Sequence, residues 1–138
     1  MDSKDSRIIE ILKQNSRESI RSIAKKADLR PSTVHQRLTK LKKDKVIEKF
    51  TVKLSNKAVG ENFIVFMLLT TDKDLEPSFF ENRHIKESFG VTGEHDLFLK
   101  LKFRDIDEFN DYIISLRKNK NIKKTLTMIS TINIKEEI

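Results

Sequence analysis

Apolar residues in the first third of the chain recur at the spacing of amphipathic helices. Three stripes follow one another: Ile8, Ile11 and Leu12; Ile20, Ile23, Ala24 and Ala27; and Val34, Leu38 and Leu41. Ser19 is suited to cap the second helix, and Pro31 to the first turn of the third. About four residues separate these two helices, which predicts a helix-turn-helix unit.

The apolar period changes after residue 45. Phe50, Val52 and Leu54 alternate with polar residues, which predicts a strand. Ser55 to Lys57 and then Gly60 are typical of turns. Residues 46–61 are therefore predicted to be a strand and hinge.

The remaining residues predict a second unit with six elements. These are a buried strand at 63–71, a helix at about 75–83, strands at about 85–92 and 97–103, a helix at 106–116 capped by Asp105, and a strand carrying Leu126, Met128, Ile132 and Ile134. The order βαββαβ is the ferredoxin-like motif. The prediction is an α+β chain: a helix-turn-helix (winged-helix-like) domain at 1–45, a strand and hinge linker at 46–61, and a ferredoxin-like domain at 62–138.

A ferredoxin-like sheet packs its helices on one face, so its other face needs a cover. Part of the apolar run at 63–69 must point to that face. A second copy of the same sheet is the simplest cover, which predicts a two-fold homodimer.

One face of the third helix carries side chains that can read DNA. Ser32, Gln36, Thr39 and Lys43 lie opposite the apolar stripe; Thr33 and Lys40 lie beside that row; His35 and Arg37 flank it. Gln bonds adenine, Ser and Thr bond several base edges, and Lys and Arg reach guanine or phosphate. An ordinary solvated helix face has a similar composition, so the DNA interpretation depends on the helix-turn-helix context and on charge.

The charge is divided unequally along the chain. Residues 1–50 carry 14 Lys and Arg against 7 Asp and Glu, whereas residues 51–138 carry 14 against 14. The whole net charge of +7 therefore belongs to the helix-turn-helix half. A surplus of this kind favours double-stranded DNA, because neutralising phosphates releases condensed counterions.

Several function classes have no support in the sequence. The chain lacks cysteine, a phosphate-binding Gly-Lys-Ser/Thr loop and a Gly-x-Ser-x-Gly elbow. His35, His84 and His95 have no partner at metal-ligand spacing. We expect no enzyme activity, metal or cofactor.

The N-terminus has no signal-peptide pattern and the longest apolar run is far too short to span a bilayer, so we expect a cytoplasmic protein with no membrane partner.

The order of these features resembles the Lrp/AsnC (feast/famine) transcriptional regulators. Residues 5–12 resemble the family's opening helix, Arg17 its conserved arginine, and Ile23-Ala24 its Leu-Ala pair. Residues 33–41 resemble its recognition helix, and Val46-Ile47 follow that helix as in the family. Residues 91–96 resemble its Gly-x-x-Asp turn, and Thr127 fits a threonine in its last strand. The chain departs at Arg30, where the family has a serine cap, and at Asp28 and Lys45, where it has glycines.

The resemblance implies a transcriptional regulator that dimerises through its second unit and often assembles to a tetramer or octamer. Two recognition helices related by a two-fold axis require a pseudo-palindromic operator. It also implies an amino-acid effector between dimers, at Gly93, Glu94, His95 and Asp96. A carboxylate of this turn can pair with an α-ammonium, and Gly93 allows close approach. A tight turn with solvated carboxylates is the other interpretation.

Two further functions stay open at this stage. One is a chromatin-like protein that coats DNA with low specificity. The other is a small-molecule sensor without a specific DNA target.

Overall fold

The computed structural model describes residues 1–138, which form two compact units, 1–53 and 54–137. The first unit contains α1 (Ser3–Gln14), α2 (Ile20–Ala27) and α3 (Pro31–Lys43). The second contains β1 (Phe63–Thr71), a 3-10 helix (Pro77–Glu81), β2 (Ile85–Gly90), β3 (Leu97–Phe103), α4 (Ile106–Leu116) and β4 (Ile122–Ile129). None of the helices is both long and apolar enough to cross a membrane.

Local capping chemistry sets where the helices of the first unit begin. Asp2 accepts from the backbone N–H of Asp5, whose own carboxylate accepts from the N–H of Asp2, so α1 begins with a reciprocal capping box. Ser19 caps α2 through the N–H of Ser22, as predicted. Arg30 stands at the cap position of α3 and makes no side-chain cap bond. The start of α3 therefore relies on Pro31 and on packing.

The core of the first unit lies where the three helices meet. Its buried members are Ile8, Ile23, Ala24 and Val34, with Ile11, Leu12, Ile20, Leu29 and Leu38 packed around them. These residues belong to the three predicted stripes, with Leu29 of the turn added. Their burial fixes the rotation of α3 and turns its polar row outward.

The strand predicted at 50–54 does not form. No strand lies between α3 and β1, so α3 is not followed by the strands of a wing. Phe50, Val52 and Leu54 are exposed, by 45%, 62% and 57%. A strand needs a hydrogen-bonded neighbour, and this segment pairs with no strand of its own chain.

The second unit is built on a four-stranded antiparallel sheet in the order β2-β3-β1-β4. Strand β1 is central, and its register places Val65 opposite Leu101 and Ile129. One sheet face packs on α4. That core contains Val65, Met67 and Leu69 of β1, Leu99, Leu101 and Phe103 of β3, and Phe109, Tyr112 and Leu116 of α4.

Three predicted elements of this unit differ in extent. The first helix is a single 3-10 segment, β2 ends at Gly90, and the last strand covers 122–129 rather than 126–134. The last strand ends early because Ile129 pairs with Val65, near the first residue of β1, so residues beyond 130 have no neighbouring strand. The first residues of β4 were not predicted, because Lys123 and Lys124 interrupt the apolar pattern on this edge strand.

The sheet face opposite α4 has two chemically different parts. Its apolar part contains Phe89, Leu126 and Met128, which are 56%, 48% and 42% exposed, beside half-buried Phe66, Leu68 and Phe98. The rings of Phe66 and Phe98 stack with centroids 5.9 Å apart. We call this set the apolar patch. The other part contains Lys100 and Lys102 of β3.

Candidate nucleic-acid interface and effector turn

The outer row of α3 is exposed along its length. Ser32, Gln36, Thr39 and Lys43 are all exposed, as predicted from their position opposite Val34, Leu38 and Leu41. His35 and Lys40 are exposed beside them, and Thr33 is half-buried. The row therefore presents hydroxyl, amide and ammonium groups on one rigid surface.

Most side chains of this row have no partner within the chain. Ser32, Gln36, Lys40 and Lys43 make no side-chain hydrogen bond or ion pair. Thr39 is the exception, because its hydroxyl donates to the carbonyl of His35 at 2.9 Å. Polar groups without internal partners are free to bond base edges or phosphates without first breaking a contact.

Arg37 is held by the start of α1. Its Nη1 donates to the carboxylate of Asp2 at 2.5 Å and to that of Asp5 at 3.2 Å. The N–H of Asp5 and the guanidinium of Arg37 together hold the pKa of Asp2 at about 2, and the two carboxylates raise the pKa of Arg37. Both bonds use Nη1, and 27% of the Arg37 side chain is exposed.

A second arginine fixes α1 against α2. Arg7 donates to the carbonyl of Ala27 at 2.7 Å, which satisfies one of the free acceptors at the end of α2. Asp28 follows in the left-handed conformation, with φ of 54°, and reverses the chain toward α3. The turn between α2 and α3 is therefore fixed by a side-chain bond from α1 and by the left-handed conformation of Asp28.

The end of α3 and the residues after it add further positive charge beside the outer row. Lys42 lies over the ring of Phe50, 5.7 Å from its centroid, so the charge there is oriented by a cation–π contact. Lys45 has a φ of 56°, a conformation that favours glycine.

The predicted effector turn joins β2 to β3 and is closed by backbone bonds. The N–H of Val91 donates to the carbonyl of Asp96 at 3.0 Å, and the N–H of Asp96 donates to that of Leu69 at 2.8 Å. Gly93 has a φ of 105°, which only glycine adopts without strain. No atom lies within 4 Å of the position of an added Cβ, so the space above Gly93 is open.

Two side chains of this turn are bonded to the end of β1. The carboxylate of Asp96 accepts from the N–H of Thr71 at 2.7 Å, and Nδ1 of His95 lies 3.0 Å from the hydroxyl of Thr70. Glu94 is exposed, and its carbonyl accepts from Thr70 at 3.3 Å. Thr70 and Thr71 bond to the turn but were not among the predicted site residues. The sequence signal that could have indicated them is a pair of threonines at the end of an apolar strand.

Two clefts flank α4, with volumes of about 530 and 410 Å³. Neither includes residues 93–96 among its lining residues. The chain places no group of three His, Cys, Asp or Glu residues where they could hold a metal ion. In the turn itself, Gly93, Glu94 and Asp96 are exposed and His95 is half-buried.

Comparisons of sequence agree with this arrangement of units. The AsnC-type helix-turn-helix domain matches residues 1–42, and the Lrp/AsnC ligand binding domain matches residues 66–138. An uncharacterized HTH-type transcriptional regulator of Pyrococcus horikoshii is 34% identical over all of this chain and 97% of its own length. The HTH-type transcriptional regulator FL11 of Pyrococcus furiosus is 29% identical over 94% of this chain and 88% of its own.

Solved structures share the fold throughout. AsnC of E. coli superposes with a TM-score of 0.88, at 25% identity, over 99% of this chain and 95% of its own. A transcriptional regulator of Neisseria meningitidis, solved as its complex with L-Met, superposes with a TM-score of 0.91 at 20% identity, over 99% of this chain and 93% of its own. With both domains matched in order over nearly the whole chain, this protein is a transcriptional regulator of the Lrp/AsnC family, and not an enzyme.

Proposed function

We propose that this regulator binds double-stranded DNA sequence-specifically through the outer row of α3. The observation that carries the proposal is a row of exposed polar side chains, most of them without internal partners, on the third helix of the half that holds the net charge of +7. Non-specific binding needs only the charge. Specific binding also needs hydrogen-bonding groups aimed at base edges, which this row supplies.

The roles within the row follow from side-chain chemistry. Ser32, Gln36 and Thr39 are assigned to base edges, because amides and hydroxyls discriminate bases. Lys40 and Lys43 are assigned to phosphates, as point charges at the end of flexible stems. Thr33 and His35 flank the base-reading residues.

Arg37 combines two tasks in this proposal. Its Nη1 is used by Asp2 and Asp5, which fixes α3 against the start of α1. The remaining guanidinium nitrogens are assigned to a phosphate. Removing Arg37 therefore weakens both the packing of the unit and its hold on DNA.

The second unit is proposed to form a homodimer through its apolar patch. Phe89, Leu126 and Met128 expose large apolar side chains on a continuous sheet face, and such patches mark protein interfaces. A two-fold dimer presents two copies of α3, which requires a pseudo-palindromic operator with half-sites about one helical turn, or a multiple of it, apart. Assembly of dimers to a tetramer or octamer extends the same proposal.

An amino-acid effector is proposed at Gly93–Asp96. The support is the ligand binding domain matched over residues 66–138, the open space above Gly93, and a regulator of the same fold solved with L-Met. The carboxylates of Glu94 and Asp96 are the groups for an α-ammonium. Since Asp96 already accepts from Thr71, it contributes one oxygen while the other holds the turn.

Selection of genomic fragments by the purified protein, with and without pooled amino acids, tests this function. We expect a defined pseudo-palindromic motif to be enriched, and the enrichment to change with the effector present. Gln36→Ala should lose the motif, whereas Gln14→Ala, which changes an exposed residue of α1, should keep it. Enrichment without any motif would instead indicate a protein that coats DNA.

A further inference from the structure

Three nearly buried charges lie on the sheet face opposite α4. Lys100 and Lys102 point to that face, because Leu99, Leu101 and Phe103 between and beside them point to the core. The carboxylate of Glu136 lies between the two ammonium groups, 2.5 Å from that of Lys100 and 3.1 Å from that of Lys102. Only 10% of the Glu136 side chain and 11% of each lysine are exposed.

Asn56 completes the set of hydrogen bonds. Its Oδ1 accepts from Lys102 at 2.7 Å, and its Nδ2 donates to Oε1 of Glu136 at 2.9 Å. Glu87 of β2 lies 3.6 Å from Lys100 on the outer side. Two ammonium groups and two carboxylates balance, so no charge in this cluster is buried without a partner.

The cluster joins three segments that are distant in sequence. Asn56 belongs to the hinge, the lysines to β3, and Glu136 to the tail after β4. The tail has no regular secondary structure, and Glu136 is the one residue of 131–138 that is not exposed. Ile132 and Ile134 of the same tail are 71% and 89% exposed. Glu136 is therefore the residue of the tail whose side chain bonds to the sheet.

The hinge depends on the same contact. Residues 55–61 form consecutive turns, in which Glu61 donates its N–H to the carbonyl of Asn56 at 2.7 Å and Val59 donates to that of Ser55. Two side chains attach these turns to the sheet: Asn56 to Lys102, and Glu61 to Lys86 at 2.7 Å. Loss of the Glu136 carboxylate would remove the acceptor that orders both Lys102 and the amide of Asn56.

We propose that Asn56, Lys100 and Lys102 form a carboxylate-binding pocket, that Glu136 of the C-terminal tail is its occupant, and that this latch holds the tail and the hinge on the sheet together. The tail and the hinge then open as one unit when the carboxylate leaves. The latch also keeps the two lysines covered, so the apolar patch is the part of this face left for another surface.

Hydrogen exchange of the full-length protein tests the latch. Glu136→Gln keeps the shape of the side chain but removes its charge, and Glu137→Gln is the matched control, because Glu137 is exposed and lies near Lys135 alone. We expect Glu136→Gln to speed exchange of the amides at residues 59–61 by about tenfold or more, together with those of the tail, because it leaves Lys102 without a carboxylate and Lys100 with Glu87 alone. Glu137→Gln should exchange like the wild type.

Truncation gives an independent comparison if Glu136→Gln lowers the stability of the whole unit. A chain ending at Lys135 should show the same faster exchange at residues 59–61, whereas a chain ending at Glu136 should not. Protection of β1 should stay unchanged in both, since β4 already ends at Ile129. Wild-type exchange at 59–61 in the chain ending at Lys135, or equal acceleration in both truncations, would overturn the proposal.

Discussion

The two units of this protein leave opposite kinds of groups without partners. In the first unit, apolar side chains are buried at the meeting point of three helices, and the polar row of α3 has few partners inside the chain. In the second unit, charged side chains such as Lys100, Lys102 and Glu136 are paired with one another, while large apolar side chains are exposed. The first surface is suited to a hydrated polyanion, and the second to another apolar surface.

This contrast teaches that charge alone does not locate the binding surface. Lysines occur in both units, but Lys100 and Lys102 of the second unit lie 11% exposed in a neutral cluster, whereas Lys40 and Lys43 of the first are exposed and unpaired. The two pairs of lysines differ in whether their charge is already neutralised within the fold. The following changes break or sharpen that contrast, beginning with the largest expected effect.

Leu126→Asp should separate the subunits of the proposed dimer. The substitution places a carboxylate in the apolar patch, where a partner would bury it unpaired, so the dimer should weaken by roughly a hundredfold or more. Sedimentation velocity over a range of concentrations measures this. Ile114→Asp is the control, because Ile114 is 56% exposed on α4, away from the patch. Equal dissociation of both variants would mean that the patch is not the interface.

Gln36→Ala should relax base preference. The expected cost is about 1–3 kcal/mol on the selected operator and close to nothing on random duplexes, because a bidentate base contact is lost. Titrations of both duplexes at one salt concentration measure the two costs. A similar loss on both duplexes would mean that Gln36 contacts the DNA backbone instead of a base.

Acid should weaken the second unit through Glu136. Burial raises the pKa of this carboxyl, but bonds from Lys100, Asn56 and Lys102 outweigh burial and hold its pKa at about 2, below the ordinary 4.5. The folded state therefore binds fewer protons than the unfolded state, so this stabilisation is complete above pH 4.5 and is lost as pH falls toward 2. Unfolding in urea across this range should show a smaller loss for Glu136→Gln than for the wild type. Parallel curves would contradict this.

Lys43→Ala should weaken binding to every duplex by about 1 kcal/mol and reduce the log–log salt slope by about one, because one phosphate contact is lost. Lys120→Ala removes an exposed lysine of the second unit and should leave the slope unchanged. An unchanged salt slope for Lys43→Ala would mean that Lys43 does not contact a phosphate.

Lys45→Gly should stabilise the first unit slightly. Its left-handed backbone strains any side chain, and relief of that strain exceeds the extra flexibility of glycine in the unfolded chain by about 0.5 kcal/mol. The melting temperature should rise by a few degrees. Lys49→Gly removes the same charge where φ is not positive and should bring no gain.

The elements that the sequence predicted correctly are those whose pattern is decided locally. The stripes of α1, α2 and α3, the cap at Ser19 and the alternation in β3 each depend on residues a few positions apart. The predictions of a strand at 50–54 and of a last strand at 126–134 were wrong for the opposite reason. Alternation is necessary for a strand, but a hydrogen-bonded neighbouring strand decides whether one forms. The outer row of α3 was predictable, because burying one face of a helix exposes the other.

Contacts between distant residues were not predictable. The pairing of Arg37 with Asp2 and Asp5 joins positions more than thirty residues apart, and that of Glu136 with Asn56 joins positions eighty apart. Nothing in the sequence around Asp2 and Asp5 indicated which arginine they would bind. The bonds from Thr70 and Thr71 to the turn likewise depend on the register of β1 against β3.

The ratio of affinities for a selected operator and for its scrambled duplex, measured at physiological salt, tests the central claim most directly. A specific regulator that reads bases through α3 should prefer the operator by about a thousandfold or more. The ratio should fall in Gln36→Ala and persist in Gln14→Ala. Equal affinity for the two duplexes in the wild type would contradict the account and leave a basic protein that binds DNA by charge alone.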